Sequence, residues 1–421
     1  MSGSGAEDQL SDLSLNYLAG RPKVERSPIG QFLTPRVLRE ALVSRVQIED
    51  GMRVLDPGVG TGEFLQTCYE VANGAYLEGW DIDAQVTDVA RQLVPSAEIK
   101  LQSALDQPWK EDFDVVIGNP PYFEIRKMDP RLRARYRSVI GGRPNIFSLF
   151  FAAGLGALKP DGVLGFVVPP SMNNGAYFSK LRDHISTIAS IEHLEVFSDS
   201  RLFVDAQTAV QLIVLRKGRV SRRHIVDLGK LAKSPKQRTV FAEDSHSVSN
   251  EFRGRTSLWN LGYEAVTGST VWNLNKVNLR SVPDRTTVPL IWAHNITSSE
   301  AVVLNLENSK KPQYIVSSEM WKGPAIVVNR ITGSVGQGSL RCAMVPSGTK
   351  YLAENHINVI KPRANTPQRV DWPELLALLR GPGINARIQR LTGNTQVSSV
   401  ELTHFLPLDF ESKNLENGML F

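Results

Sequence analysis

Cysteine is nearly missing from this chain: Cys68 and Cys342 stand far apart, with no histidines at metal-ligand spacing around them. A disulfide framework and a structural zinc site are thereby excluded, no metal is expected, and a reducing compartment suits the composition. Long apolar runs are scarce too. The longest, Ile146 to Leu158, is broken by Ser148 and Gly154 and falls short of the roughly 20 residues that cross a bilayer. Residues 1–20 are polar and lack the apolar stretch of a secretory leader, so a soluble cytoplasmic protein with no membrane partner is expected. Internal repeats and low-complexity tracts are also absent, which excludes solenoids and disordered scaffolds.

What is present is unevenly distributed. The 421 residues carry a net charge of +5, yet residues 1–210 hold 21 basic and 27 acidic side chains, a balance of −6, while residues 211–421 stand at +11. The basic half is the candidate binder of a polyanion. Its densest stretch, 216–238, includes Arg216, Lys217, Arg219, Arg222, Arg223, Lys230, Lys233 and Lys236; a solvated linker would have the same composition.

Length and apolar content suit two domains. Residues 1–27 show no sustained periodicity and are expected to form a flexible arm. Thr34-Pro35 before Val37, Leu38, Ala41, Leu42 and Val46 reads as a helix with Thr34 as N-cap and Pro35 at the first helical position. Short apolar segments at 52–55, 75–80, 99–101, 115–117, 163–168, 191–196 and 209–215 alternate with helical patterns. The implied architecture is α/β: a doubly wound, Rossmann-like catalytic domain over residues 28–230. Beyond about residue 225 the alternation fades into Asn-, Ser- and Thr-rich sequence, with strands expected at 325–328 and 356–360 and a helix at 372–379. That segment, 240–421, is taken as a mixed α+β second domain.

Val54-Leu55-Asp56-Pro57-Gly58-Val59-Gly60-Thr61-Gly62 sets a glycine-rich turn between a strand and a helix, where a ligand can approach the backbone. No Lys-Ser or Lys-Thr follows, which rules out a Walker phosphate loop. By itself the turn fits a nicotinamide site or a merely tight bend as well. The next strand ends in Trp80-Asp81-Ile82-Asp83, about 20 residues on, where an acid on the ribose hydroxyls is expected. Asp81 suits that role, and Ile82 can pack on an adenine.

The most informative motif is Asn119-Pro120-Pro121-Tyr122, at the end of the fourth strand. The prolines stiffen the loop and push Asn119 to extended geometry. The loop then offers the Asn119 amide oxygen and the Pro120 carbonyl as paired acceptors for an amino group, with the Tyr122 ring alongside. In order and spacing, Gly30-Gln31-Phe32-Leu33-Thr34-Pro35, Asp56-Pro57-Gly58-x-Gly60-x-Gly62 and Asn119-Pro120-Pro121-Tyr122 resemble the gamma group of adenine-N6 DNA methyltransferases, of the TaqI type. The likeness extends through Asn145 to Phe150, 158–162 and Phe203 to Ala206, and more loosely over 288–295, 325–330 and 356–358.

The resemblance implies a site-specific, bacterial or phage-encoded enzyme that moves a methyl group from S-adenosylmethionine to the N6 amine of an adenine flipped out of duplex DNA. A cognate restriction endonuclease, a monomeric state and a target-recognition role for 240–421 are implied with it. Thr34 and Pro35 would help close the cofactor pocket, Asp56, Pro57, Gly58 and Gly60 flank the methionine moiety, and Asp81 and Ile82 hold the adenosine. Catalysis would fall to Asn119, Pro120, Pro121 and Tyr122, with Phe203 facing Tyr122 across the base. The sequence departs from the pattern where an Asp usually meets the cofactor's adenine amine: it has Ser103, with Asp106 nearby as the alternative. Arg126, Lys127, Arg131, Arg133, Arg135 and Arg137 are candidates for phosphate contacts or for a solvated helix face. Rival readings are a methyltransferase acting on RNA or on a protein glutamine, a cytosine-N4 enzyme, whose motif usually has Ser in place of Asn119, and a DNA-specificity subunit that does no chemistry.

Overall fold

The computed structural model describes residues 10–26, 30–142, 144–197, 209–306, 309–330, 339–392 and 396–410. They divide into two compact units. One comprises residues up to Val226 together with Thr239–Ser245, and the other Asp227–Arg238 and the residues from His246 on. The chain thus crosses between the units more than once, and Ser234-Pro235 belongs to the second unit.

In the first unit the described strands are β1 (Arg53–Asp56), β2 (Tyr76–Asp81), β3 (Glu98–Leu101), β4 (Phe113–Gly118), β5 (Leu158–Val168), β6 (Ala189–Phe197) and β7 (Val210–Lys217). They form one sheet in the order β3-β2-β1-β4-β5-β7-β6. The first five run parallel, which requires crossover connections, whereas β7 is antiparallel to both β5 and β6. The sequence pattern did not reveal β7's insertion, because a continuous apolar run marks a buried strand without its direction.

Helices cover both faces. α3 (Arg36–Val46), α4 (Glu63–Val71) and α5 (Ala84–Leu93) enclose one apolar cluster with Val54, Val115, Ile117 and Leu212. α6 (Pro130–Arg135) leads into α7 (Ile146–Ala157), which is buried with α8 (Ser179–Ile188) over the other face, among Val116, Leu164, Phe166 and Ile213. The run that was too short for a membrane is therefore α7, a helix apolar all round because it lies inside the fold. Among the described residues no helix is long and apolar enough to cross a membrane.

Two local expectations need correction. Residues 10–26 are not a loose arm: Asp12–Gly20 is a helix, α1, capped by Ser11, and Lys23–Arg26 a further turn, α2. Their weak periodicity reflects anchoring by polar contacts instead of an apolar stripe. Pro35, not Thr34, is the N-cap of α3, and its carbonyl accepts from Leu38 and Arg39. The Thr34 hydroxyl is engaged elsewhere.

The second unit mixes strands and helices. Tyr263–Thr267, Ile357–Pro362, Ala325–Asn329 and Cys342–Val345 pair antiparallel in that order, and Leu279–Arg280, Tyr314–Val316, Thr287–Ile291, Lys350–Ala353 and Trp321–Lys322 make a mixed sheet. Trp372–Leu379 is a helix capped by Asp371.

Arg182 on α8 is fully buried and donates from Nε to the Thr239 carbonyl at 2.6 Å and from Nη1 to the Met172 and Gly175 carbonyls at 2.8 Å each. These bonds fasten the returning segment 239–245 to the first unit. Replacing Arg182 with Met leaves buried carbonyls without donors and should cost about 3 kcal/mol; urea unfolding measures it, and a loss below about 1 kcal/mol would show that the carbonyls find other donors.

Candidate functional site

The sheet's order reverses around β1 and β4, and open α/β sheets bind ligands at such a switch point, outside the strands' C-terminal ends. Here β1 ends in Asp56 and β4 in Gly118, followed by Asn119. A cleft of about 730 Å³ opens at this edge, walled by the glycine loop at Pro57, Gly58 and Gly60, by Asp81 to Gln85, by Gln102 to Leu105 and by Asn119, Pro121 and Phe123.

Asn119 is held from below. Its Nδ2 donates both hydrogens, one to the Phe32 carbonyl at 3.0 Å and one to Thr34 Oγ1 at 2.9 Å. An amide nitrogen has only two hydrogens, so these bonds fix which way the side chain points and leave Oδ1 as its acceptor. The Tyr122 hydroxyl lies against Oδ1 and also donates to the Val167 carbonyl at 2.7 Å. One hydroxyl hydrogen serves one of these acceptors at a time. Burial holds the Tyr122 phenol far above its ordinary range, so it stays a donor. The Tyr122 ring stacks toward Phe32, centroids 6.4 Å apart, and meets Phe147 edge-on at 6.3 Å.

The contact between the segment before α3 and this loop explains Gly30. Its φ is +70°, and a Cβ there would stand 2.5 Å from the Tyr122 nitrogen and 3.1 Å from Pro121 Cβ. Only glycine lets the two backbones approach so closely. Gly118 is similarly confined, since a Cβ would lie 2.6 Å from Asp56 Oδ1.

Of the residues singled out in the sequence, Pro57, Gly58, Gly60, Asp81, Ile82, Ser103, Asn119 and Pro121 come together on the cleft wall. Thr34, Pro35, Asp56, Pro120 and Tyr122 do not line it. Thr34 is buried beneath Asn119, and Asp56 stands behind the loop with Oδ1 accepting from the Gly58 N–H at 3.0 Å. Pro120 is buried as well. Ser103 faces the cleft, whereas Asp106 is exposed and off the wall. Phe203 lies outside the described residues. The sequence did not point to Arg21 and Glu25, which wall the cleft from the N-terminal side; the helix-capping Ser11 ahead of Leu13, Leu15 and Leu18 was the available signal.

The basic residues after the motif divide in two. Arg135 packs its guanidinium over Trp109 and Tyr136 and donates to the Asp106 and Gln107 carbonyls, while Arg126, Lys127, Arg131, Arg133 and Arg137 are exposed. In the denser 216–238 stretch Arg216 pairs with Glu192, Lys217 with Glu111 and Arg219 with Asp161; Arg222, Arg223, Lys233 and Lys236 are exposed.

Comparison with known proteins bears on this site. Residues 77–203 match the Eco57I restriction-modification methylase family, a stretch that contains the Asn119 loop. The chain is 23% identical over 84% of its length to Modification methylase CviBIII of Paramecium bursaria Chlorella virus NC1A, covering 88% of it. It is 24% identical over 90% of its length to Type II methyltransferase M.BsuBI of Bacillus subtilis, covering 87% of that protein. Among solved structures, the methyltransferase subunit of a type I restriction-modification system from Streptococcus thermophilus aligns over 56% of each chain, with 18% identity and a TM-score of 0.44.

The fold is a Rossmann-like, doubly wound α/β sheet. More particularly, the chain is similar to the modification methylases of restriction-modification systems, and the resemblance in its motifs implies S-adenosylmethionine as the ligand of this cleft. The cleft's donors and acceptors fit that molecule. Asp81 accepts from the Gly60 N–H at 3.1 Å and the Asp83 N–H at 3.0 Å, one on each carboxylate oxygen, leaving acceptor capacity for ribose hydroxyls. Ile82, 77% exposed, offers an apolar side chain beside it.

Two outcomes test these supports. Thr34→Val removes one of Asn119's two anchors and should slow methyl transfer about three- to tenfold, with S-adenosylmethionine affinity little changed; an unaltered single-turnover rate would show that the Phe32 carbonyl alone suffices. Burial pushes the Asp56 carboxyl up to about 8 from an ordinary 3.8, outweighing the Gly58 bond, which lowers it. The folded chain therefore binds this proton more tightly than the unfolded one. The stability conferred is complete below about pH 4 and is lost as pH rises to about 8. Melting temperatures of the ligand-free wild type should fall relative to Asp56→Asn across that window, and a pH-independent difference would contradict the assignment.

Proposed function

We propose that the chain methylates the N6 amine of adenine in duplex DNA at a specific sequence, as the modification enzyme of a restriction-modification system or as an orphan methylase. The observation that carries this reading is the Asn119 amide, whose Oδ1 is left as acceptor at the cleft because Nδ2 is committed to Phe32 and Thr34. When bound, S-adenosylmethionine supplies an electrophilic methyl group on a sulfonium.

The chain's own residues supply the rest. An exocyclic amine is a poor nucleophile because its lone pair is delocalised into the ring. Asn119 Oδ1 and the Pro120 carbonyl, accepting the two amine hydrogens, favour a tetrahedral nitrogen and stabilise the positive charge that grows on it. To reach Oδ1 the amine displaces the Tyr122 hydroxyl, which retains the Val167 carbonyl as a partner. The cleft lies at the end of a buried sheet, so a paired base reaches it only by leaving the stack, at a cost of a few kcal/mol. The Tyr122 ring, and Phe203 in the resembling family's arrangement, would offset part of this by stacking. Exposed Arg126, Lys127, Arg131, Arg133 and Arg137 follow the loop closely and suit phosphates near the flipped nucleotide. The +11 balance of residues 211–421 supports a long polyanionic substrate over a protein glutamine.

Asn119→Ala decides between a turn residue and a catalytic one. Single-turnover methylation of an adenine-containing duplex should fall about 10²- to 10³-fold, while S-adenosylmethionine binding to the same preparation barely moves. A folded variant that methylates adenine near the wild-type rate would overturn the mechanism, and methylation of cytosine instead would overturn the choice of base.

A further inference from the structure

Residues 10–26 are tied to the cofactor loop by polar contacts that serve no apolar core. The Ser11 amide and hydroxyl both donate to Glu63 Oε1, at 2.8 and 2.7 Å, and Glu63 opens α4 immediately after Gly62. Ser14 is fully buried, and its hydroxyl donates to Thr61 Oγ1, inside the glycine loop, at 2.7 Å. Tyr17 donates to Gln31 Oε1 at 2.8 Å, which binds α1 to the segment that holds Asn119. Arg21 donates to the Tyr17 hydroxyl and pairs with Asp83, the N-cap of α5. The contacts that leave the segment end on elements around the cleft: the loop, the first turn after it, the cap of α5, or the Gly30 segment.

Arg21 also lines the cleft itself, together with Asp81, Ile82 and Ser103, and its ion pair with Asp83 ties it to the turn that follows Asp81 and Ile82. Its side chain is 22% exposed, and Asp83 neutralises its charge. What a neutralised guanidinium offers a ligand is a flat face for an aromatic ring and further N–H donors for ring nitrogens or ribose oxygens. A bare cation facing the sulfonium would oppose binding. A paired one over the nucleoside does not.

We propose that α1 and α2 form a wall of the cofactor site and that Arg21 is a cofactor-positioning residue acting on the adenosine half of S-adenosylmethionine. The proposal rests on Asp81 and Ile82 holding that half. Because S-adenosylhomocysteine carries the same adenosine without the sulfonium charge, Arg21 contributes equally to both ligands. Ser11 and Ser14 contribute indirectly, by keeping the wall against the loop.

The test is calorimetric titration of the full-length protein with each ligand. Arg21→Ala should raise Kd about five- to tenfold for both S-adenosylmethionine and S-adenosylhomocysteine, the scale of one or two lost hydrogen bonds. A loss confined to one ligand, or none, overturns the role given to Arg21. Asp81→Ala, measured in parallel, separates this failure from that of the underlying reading: if Asp81→Ala binds normally, the adenosine is held elsewhere. Limited trypsin digestion, mapped by mass spectrometry, tests the wall without relying on Arg21→Ala. S-adenosylhomocysteine should slow cleavage after Arg21, Lys23 and Arg26 in the wild type, and Ser14→Ala should speed it. Cleavage indifferent to both ligand and substitution overturns the wall.

Discussion

The double anchorage of Asn119 is the constraint on which the site depends. Two hydrogen bonds from one amide nitrogen, to Phe32 and Thr34, join a loop after β4 to a segment more than 80 residues earlier in the chain. Their consequence is directional: the oxygen, not the nitrogen, is left as the acceptor that faces away from these anchors. The close packing at Gly30 follows from the same contact, since its backbone must touch the Tyr122 amide for Thr34 to arrive under Asn119. A loop stiffened by prolines gains little unless something outside it sets the side chain's orientation, and the N-terminal segment does this.

Burial shapes the electrostatics around that anchor. Asp56 sits behind the glycine loop and its carboxyl is raised by desolvation, as is that of Asp81, although backbone N–H groups bond to both. A buried and a half-buried carboxyl beside a cleft are costly when the cleft holds only water. A cationic ligand nearby favours their charged forms, so a sulfonium cofactor is electrostatically suited to a site assembled this way.

The basic half of the chain is less uniform than its charge suggests. Arg238 is buried against Glu401, and Arg387 and Arg255 both bond Asp409, so several cations in the second unit hold its fold together. Lys233 and Lys236 are exposed. Net charge indicates a polyanionic ligand through its long-range field, while the individual contacts depend on which cations already have acidic neighbours.

Sequence alone determined the features whose physics is local. Apolar runs of strand length placed the sheet strands, the strands at 325–329 and 357–362 and the helix at 372–379, because periodicity and burial follow directly from side-chain chemistry. Gly58, Gly60, Asp81 and Asn119 were legible because strand-turn-helix spacing fixes where a loop must lie relative to its strand. Other features were settled only by tertiary contacts. Thr34 looked like a helix cap because Thr before Pro is a common N-terminus, but Asn119, 85 residues away, claims its hydroxyl. Residues 10–26 looked loose because the partners that anchor them, Glu63, Thr61 and Asp83, are distant in sequence. The direction of β7 likewise depends on which neighbours it pairs with. In each case the deciding partner is distant in sequence, and a polar side chain's partner leaves no periodic trace from which to infer it.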